Sequence, residues 1–170
     1  MENTYNIFLF GSYYVGKSFL INRYINNIYD YLHLHSQNEN YKYITIRNQR
    51  IKLILSEVKY QTFKILSDYN FHKADGILFV YDITYRPSLN DLRKVLKEVD
   101  MYLNNTGQHC KILLGCKSDS YRAVTENEAR TFAEEFKIPF FEVSAKNNIN
   151  VEEIFKILAN KILRTKEYHQ

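Results

Sequence analysis

Gly11-Ser12-Tyr13-Tyr14-Val15-Gly16-Lys17-Ser18 is the stretch on which the reading turns. It satisfies the pattern G-x-x-x-x-G-K-[ST], follows an apolar run from Tyr5 to Phe10 and leads directly into a helical pattern. A loop of this kind turns successive backbone amides toward a polyphosphate, and the N-terminus of the following helix adds positive potential. Lys17 reaches the terminal phosphates and the Ser18 hydroxyl can ligate magnesium. Phosphate binding is the expectation, with Gly11, Val15, Gly16, Lys17, Ser18 and Phe19 nearest the ligand. Tyr13 and Tyr14 bring two phenol rings to the loop, which either point outward to solvent or crowd the space beside the phosphates.

Outward from this loop, apolar runs alternate with amphipathic stretches. Tyr5 to Phe10, Tyr41 to Ile46, Ile51 to Leu55, Gly76 to Tyr81, Lys111 to Gly115 and Pro139 to Val143 read as strands. Leu92, Val95, Leu96 and Val99 share one face of a helix, as do Val151, Ile154, Phe155, Leu158 and Ile162 of the last. Thr125 with Glu128, and Asn150 with Glu153, carry helix N-cap signatures. The strands near 41 to 55 are joined only by Arg47 to Arg50 and should form an antiparallel hairpin; the others are separated by helices and should be parallel. The expectation is an α/β fold, a mixed six-stranded sheet with helices on both faces.

A chain of 170 residues, 45% apolar and 25% charged, has the size and balance of one domain spanning 1–170. The formal charge of +4 is mild and its lysines are spread out, so no nucleic-acid surface is expected. Cys110 and Cys116 bracket one strand, where they would stand roughly 20 Å apart, beyond disulfide reach. Reduced thiols fit a cytosolic setting. No run approaches a membrane span. His33, His35, His72, His109 and His169 form no convincing zinc constellation.

Two further motifs lie after the later strands: Gly115-Cys116-Lys117-Ser118-Asp119 and Glu142-Val143-Ser144-Ala145-Lys146. With the first loop, their order resembles the Ras superfamily of small GTPases, whose patterns here are N-K-x-D and S-A-K. The resemblance runs from Tyr5 to about Arg164, and Leu78 to Thr84 with Ile138 to Glu142 look most like Rab proteins. It implies a P-loop NTPase fold of the Ras-like G-domain type, and GTP or GDP with Mg2+ as ligands. It also implies that Asp119 accepts from the guanine N1 and exocyclic amine, Lys117 covers the ring, and the Ala145 amide meets the carbonyl oxygen, with Ser144 and Lys146 beside it. Cys116 replaces the usual asparagine, and a thiol is a poor hydrogen-bond partner. Tyr29 falls where the family keeps an aromatic ring against the base, although a plain surface tyrosine is the alternative.

The switch segments depart further from that family. Spacing from Lys17 places Ser36 at the magnesium-touching threonine, with a solvated loop serine as the alternative. Aligning Ile51 to Leu55 with the third strand places Glu57 at the aspartate, Tyr60 at the glycine and Gln61 at the catalytic glutamine; a shift of one residue puts Ser56 at the acid position instead. The doubled tyrosines, Glu57 in place of the aspartate and Tyr60 in place of the glycine imply slow or impaired GTP hydrolysis. The leading expectation is a Rab-like switch in vesicle traffic, meeting effectors and regulators through its switch regions. The alternative is a pseudo-GTPase scaffold, and a P-loop nucleotide kinase is disfavoured by the two base motifs. The end of this sequence, Lys166 to Gln170, offers no prenylation cysteine. The expectation is a cytoplasmic protein with any membrane association supplied by a tail or partners.

Overall fold

A computed structural model describes residues 3–32, 40–59, 71–103 and 109–168. Its six strands are β1 (Asn3–Gly11), β2 (Tyr41–Ile46), β3 (Gln49–Lys59), β4 (Gly76–Asp82), β5 (Cys110–Cys116) and β6 (Phe140–Val143). They lie in the order β2-β3-β1-β4-β5-β6. Only the β2–β3 pair is antiparallel among these, as the hairpin reading requires. The hairpin is tighter than the sequence suggested. Ile46 pairs with Gln49, leaving Arg47 and Asn48 as a two-residue turn with φ of 50° and 63°. Both central residues at positive φ match the twist of the flanking strands, a turn that usually advertises itself with glycine.

Among the described residues lie four α-helices: α1 (Lys17–Asn26), α2 (Arg86–Tyr102), α3 (Glu126–Glu135) and α4 (Val151–Tyr168). Alternation along the strands sends successive side chains to opposite faces. Ile7, Leu9, Leu53, Leu55, Leu78 and Val80 pack under α1 and α4, against Leu20, Ile21, Phe155 and Leu158. Phe10, Val58, Ile77, Phe79 and Tyr81 pack on the other face, against Leu92, Val95 and Leu96 of α2 and Phe132 of α3. Each fully buried large apolar side chain contributes roughly 1.5–3 kcal/mol, more than an end cap at about 1 kcal/mol, so packing rather than capping seats the helices.

The caps divide. Thr125 and Glu128 form the expected reciprocal box: the Glu128 amide donates to the Thr125 hydroxyl at 3.2 Å and the Thr125 amide to the Glu128 carboxylate at 2.8 Å. Asn150 behaves differently, adopting φ 59° with its side-chain amide donating to the Glu142 carbonyl at 2.9 Å. It therefore ties the start of α4 back to β6, while its carbonyl accepts the first helical bond from Ile154. Cys110 and Cys116 are free, buried thiols at the two ends of β5.

Candidate functional site

The loop from Gly11 to Ser18 leaves the C-terminal end of β1, a strand flanked by β3 on one side and β4 on the other. That is where the chain order diverges in an open α/β sheet and where such sheets take ligands. A Cβ on Gly11 would stand 2.3 Å from the Val80 carbonyl oxygen, so the loop departs between strands only as glycine. Gly16 holds φ 111° and caps α1 without a side-chain hydrogen bond. With no acid in its first turn, the positive end of the helix is directed at the loop.

Lys17 is buried, and its ammonium folds back over the loop, donating to the carbonyls of Gly11 at 2.7 Å and Ser12 at 2.6 Å. This places a fixed positive charge within the curve of the loop. Val15 is buried beneath it. Tyr14 stands 92% exposed at φ 62°, so its ring points to solvent. Tyr13 is 41% exposed and borders, with Ser12, Tyr14, Tyr85, Asp91 and Lys117, a cleft of about 470 Å3 on the α2 side.

Beside the loop, Ser18 donates its hydroxyl to Glu57 Oε2 at 3.0 Å. The alternation of β3 explains this partner: Ile51, Leu53 and Leu55 face α1, and Glu57 follows them on that face, whereas Ser56 does not. Glu57 is therefore the acid at the loop. The two oxygens suit a hard divalent cation, since adjacent octahedral ligands at the magnesium distance lie about 3.0 Å apart. No cluster of three His, Cys, Asp or Glu able to hold a metal by itself occurs among the described residues. Ser36, Tyr60, Gln61, His33 and His35 lie outside the described residues.

A narrower cleft of about 160 Å3 continues from the loop. Gly16, Phe19 and Tyr29 line one side; Cys116, Lys117, Asp119, Ala145 and Lys146 line the other. Phe19 and Tyr29 pack with ring centres 4.6 Å apart, which builds an aromatic wall from α1 and the segment after it. Lys117 sits at φ 65° and pairs with Asp82, whose other oxygen accepts from the Thr84 amide at 2.8 Å. The Lys117 stem is thereby laid along the cleft. Ser144 is fully buried; its hydroxyl donates to Asp119 Oδ1 at 2.5 Å and accepts from the Asn147 amide at 2.9 Å. That leaves Asp119 with an aimed carboxylate rather than a freely rotating one.

Cys116 fills the space under Gly16, where an added Cβ would be 3.4 Å from the Cys116 Cβ. Burial pushes its thiol up to about 12, so it remains a neutral packing group. The residue that sequence reasoning missed is Arg23, which donates from α1 to the Ala145 and Lys146 carbonyls. No motif marks it, because its partners lie more than a hundred positions away.

Fold and loop together define a P-loop α/β protein with a cleft beside its phosphate loop. The Ras family model matches residues 6–164, and the chain belongs to that family. It is 37% identical over 167 residues to the Ras-related protein RABC1 of Arabidopsis thaliana, covering 95% of this chain and 78% of the relative. It is 33% identical to GTP-binding protein YPTM1 of Zea mays, over 95% of this chain and 79% of the relative. The same identity relates it to Ras-related protein Rab-1D of Dictyostelium discoideum, over 93% and 79%. The chain is thus a Rab-like small GTPase by family. Among the described residues no helix is long and apolar enough to cross a membrane.

Proposed function

We propose that this chain binds GTP and GDP with magnesium, acts in vesicle traffic as a Rab-like protein, and hydrolyses GTP slowly. The observation that carries the binding reading is the continuity of the phosphate loop with the narrow cleft: Gly16 belongs to the loop and lines the same cleft as Asp119 and Ala145. A purine nucleotide laid there would meet Lys17 with its phosphates and Asp119 with its base edge. An ionised carboxylate accepts from the paired N1 and 2-amino donors of guanine, a pair adenine does not offer. Ser18 and Glu57 would hold the magnesium, which offsets phosphate charge when bound.

Slow turnover is supported by Tyr13, a bulky ring on the loop, 41% exposed, where attacking water or a partner's arginine would need room. The same bulk supports a second reading, a fold that holds guanine nucleotide without a useful switch. Effectors and regulators would meet the chain through the segments flanking β2 and β3.

Purified protein is first assayed for bound nucleotide, then titrated with fluorescent GDP, GTP and ADP with and without magnesium. Guanine-specific, magnesium-strengthened binding is the expected result. Absence of binding to either guanine nucleotide would sink the proposal. A switch additionally requires that exchanging GDP for a non-hydrolysable GTP analogue changes hydrogen-exchange protection in the segments flanking β2 and β3; unchanged protection would favour the non-switching reading.

A further inference from the structure

Arg23 leaves α1 on the side facing the loop after β6. Its Nε donates to the Ala145 carbonyl oxygen at 2.7 Å and Nη2 to that of Lys146 at 3.1 Å. Its third nitrogen, Nη1, donates to the Asn27 carbonyl at 3.0 Å and to the Asn27 side-chain oxygen at 3.2 Å. Asn27 ends the helix at φ 57° and returns its own amide to the Arg23 carbonyl at 3.0 Å. One planar cation therefore joins α1, the turn leading toward Tyr29 and the loop carrying Ala145. A guanidinium can do this because its donors form a rigid fork, which an ammonium lacks.

These bonds act on the backbone on one side of the Ala145 amide. The other side is fixed independently: the Ser144 amide donates to the Ile149 carbonyl at 3.1 Å and the Ser144 hydroxyl is held by Asp119 and Asn147. The peptide that carries the Ala145 amide is held on its Ser144 side, where the Ser144 carbonyl accepts from the Ile149 amide at 2.9 Å, and the Arg23 bonds fix the peptide units that follow it, in the wall of the narrow cleft. Without Arg23, the Ala145 and Lys146 carbonyls would turn to water and the loop would sample other orientations.

We infer that Arg23 is a positioning residue for base recognition, aiming the Ala145 amide at the 6-carbonyl of a bound guanine. This inference rests on the guanine-binding reading above. Arg23 touches no nucleotide itself; it acts through the two carbonyls it holds.

The test is a double-mutant cycle on the full chain, comparing GDP with 6-thio-GDP in the wild type and in Arg23→Lys. The thio analogue keeps the N1 and 2-amino donors that face Asp119 but presents sulfur, a weak acceptor, to the Ala145 amide. Arg23→Lys is expected to weaken GDP about tenfold, in line with losing charge-assisted bonds, and 6-thio-GDP no more than about threefold. Arg23→Gln, which removes the charge, is expected to give the same pattern and serves if the lysine variant fails to fold. Equal weakening of both nucleotides would mean that Arg23 only stiffens the loop and would overturn the inference, as would unchanged GDP affinity. A wild type that binds neither nucleotide would remove the guanine reading first, and that result is visible before any variant is made.

Discussion

Ser18 and Glu57, thirty-nine positions apart in the chain, meet across 3.0 Å between hydroxyl and carboxylate at the edge of the phosphate loop. The contact fixes which residue of β3 supplies the acid, and it defines a consequence for magnesium. Glu57→Ala leaves one protein oxygen where there were two. In the wild type, chelating magnesium should speed GDP release at least about tenfold, since a divalent ion bridging phosphate and protein is worth several kcal/mol. In Glu57→Ala, release should already be fast and chelation should add less than about threefold. Stopped-flow release of a fluorescent GDP analogue measures both; an undiminished chelation effect in the variant would assign the metal to other ligands.

Asp119 is aimed by Ser144, and that geometry sets a specificity expectation. Replacing Asp119 with Asn exchanges one accepting oxygen for a donating amide. Guanine then loses the partner for its 2-amino group, while xanthine, with a carbonyl at the same position, gains one. GDP affinity should fall by at least about a hundredfold, because a site built for hydrogen bonding rejects a mismatched ligand strongly. Xanthosine diphosphate should bind Asp119→Asn better than it binds the wild type. Competition titration would decide it; parallel losses for both nucleotides would show that Asp119 does not face the 2-position.

Much of this arrangement was legible because local chemistry announced it. The Gly11 to Ser18 loop needs its glycines for backbone approach and left-handed φ, so residue type and spacing carried the position directly. The alternation of apolar runs gave the sheet, since β4 is buried on both faces and helices must cover them. What escaped was set by register and by long-range contact. Ser56 and Glu57 differ by one residue, and only the pairing of β3 with β1 decides which faces Ser18. The Arg47-Asn48 turn lacks the glycine that signals such turns, and Asn150 reads as a cap until its amide is seen bonded to Glu142.

The Glu128 cap carries a pH signature. Hydrogen bonding to Arg86, then to the Thr125 amide and hydroxyl, lowers its carboxyl from the usual 4.5 to about 2. A carboxyl depressed in the folded state stabilises the fold above its unfolded pKa, and that contribution disappears as pH falls toward the folded value. Glu128→Gln should therefore lower the thermal midpoint near neutral pH and approach the wild-type midpoint as pH falls from about 4.5 to about 2. Melting curves of both proteins across that range test the sign; a gap that widens on acidification would refute the assignment.

The two tyrosines of the phosphate loop should separate in their effects. Tyr14 points to solvent with φ 62°, a conformation that costs a bulky residue about 1 kcal/mol. Tyr14→Gly relieves that strain while giving the unfolded chain more freedom, and the two effects oppose each other at similar size. The variant should thus melt within a few degrees of the wild type and turn over GTP at the same rate. Tyr13 is less exposed than Tyr14, at 41% against 92%, and on the slow-turnover proposal its ring is the one placed to crowd attacking water. Tyr13→Gly should raise single-turnover GTP hydrolysis about tenfold, because removing bulk lowers the barrier without adding a catalytic group. Rapid-quench measurement of phosphate release from preloaded protein distinguishes the variants. A rate unmoved by Tyr13→Gly would place the obstacle to hydrolysis elsewhere, whereas acceleration by Tyr14→Gly alone would mean that its exposed ring closes over the nucleotide once triphosphate is bound.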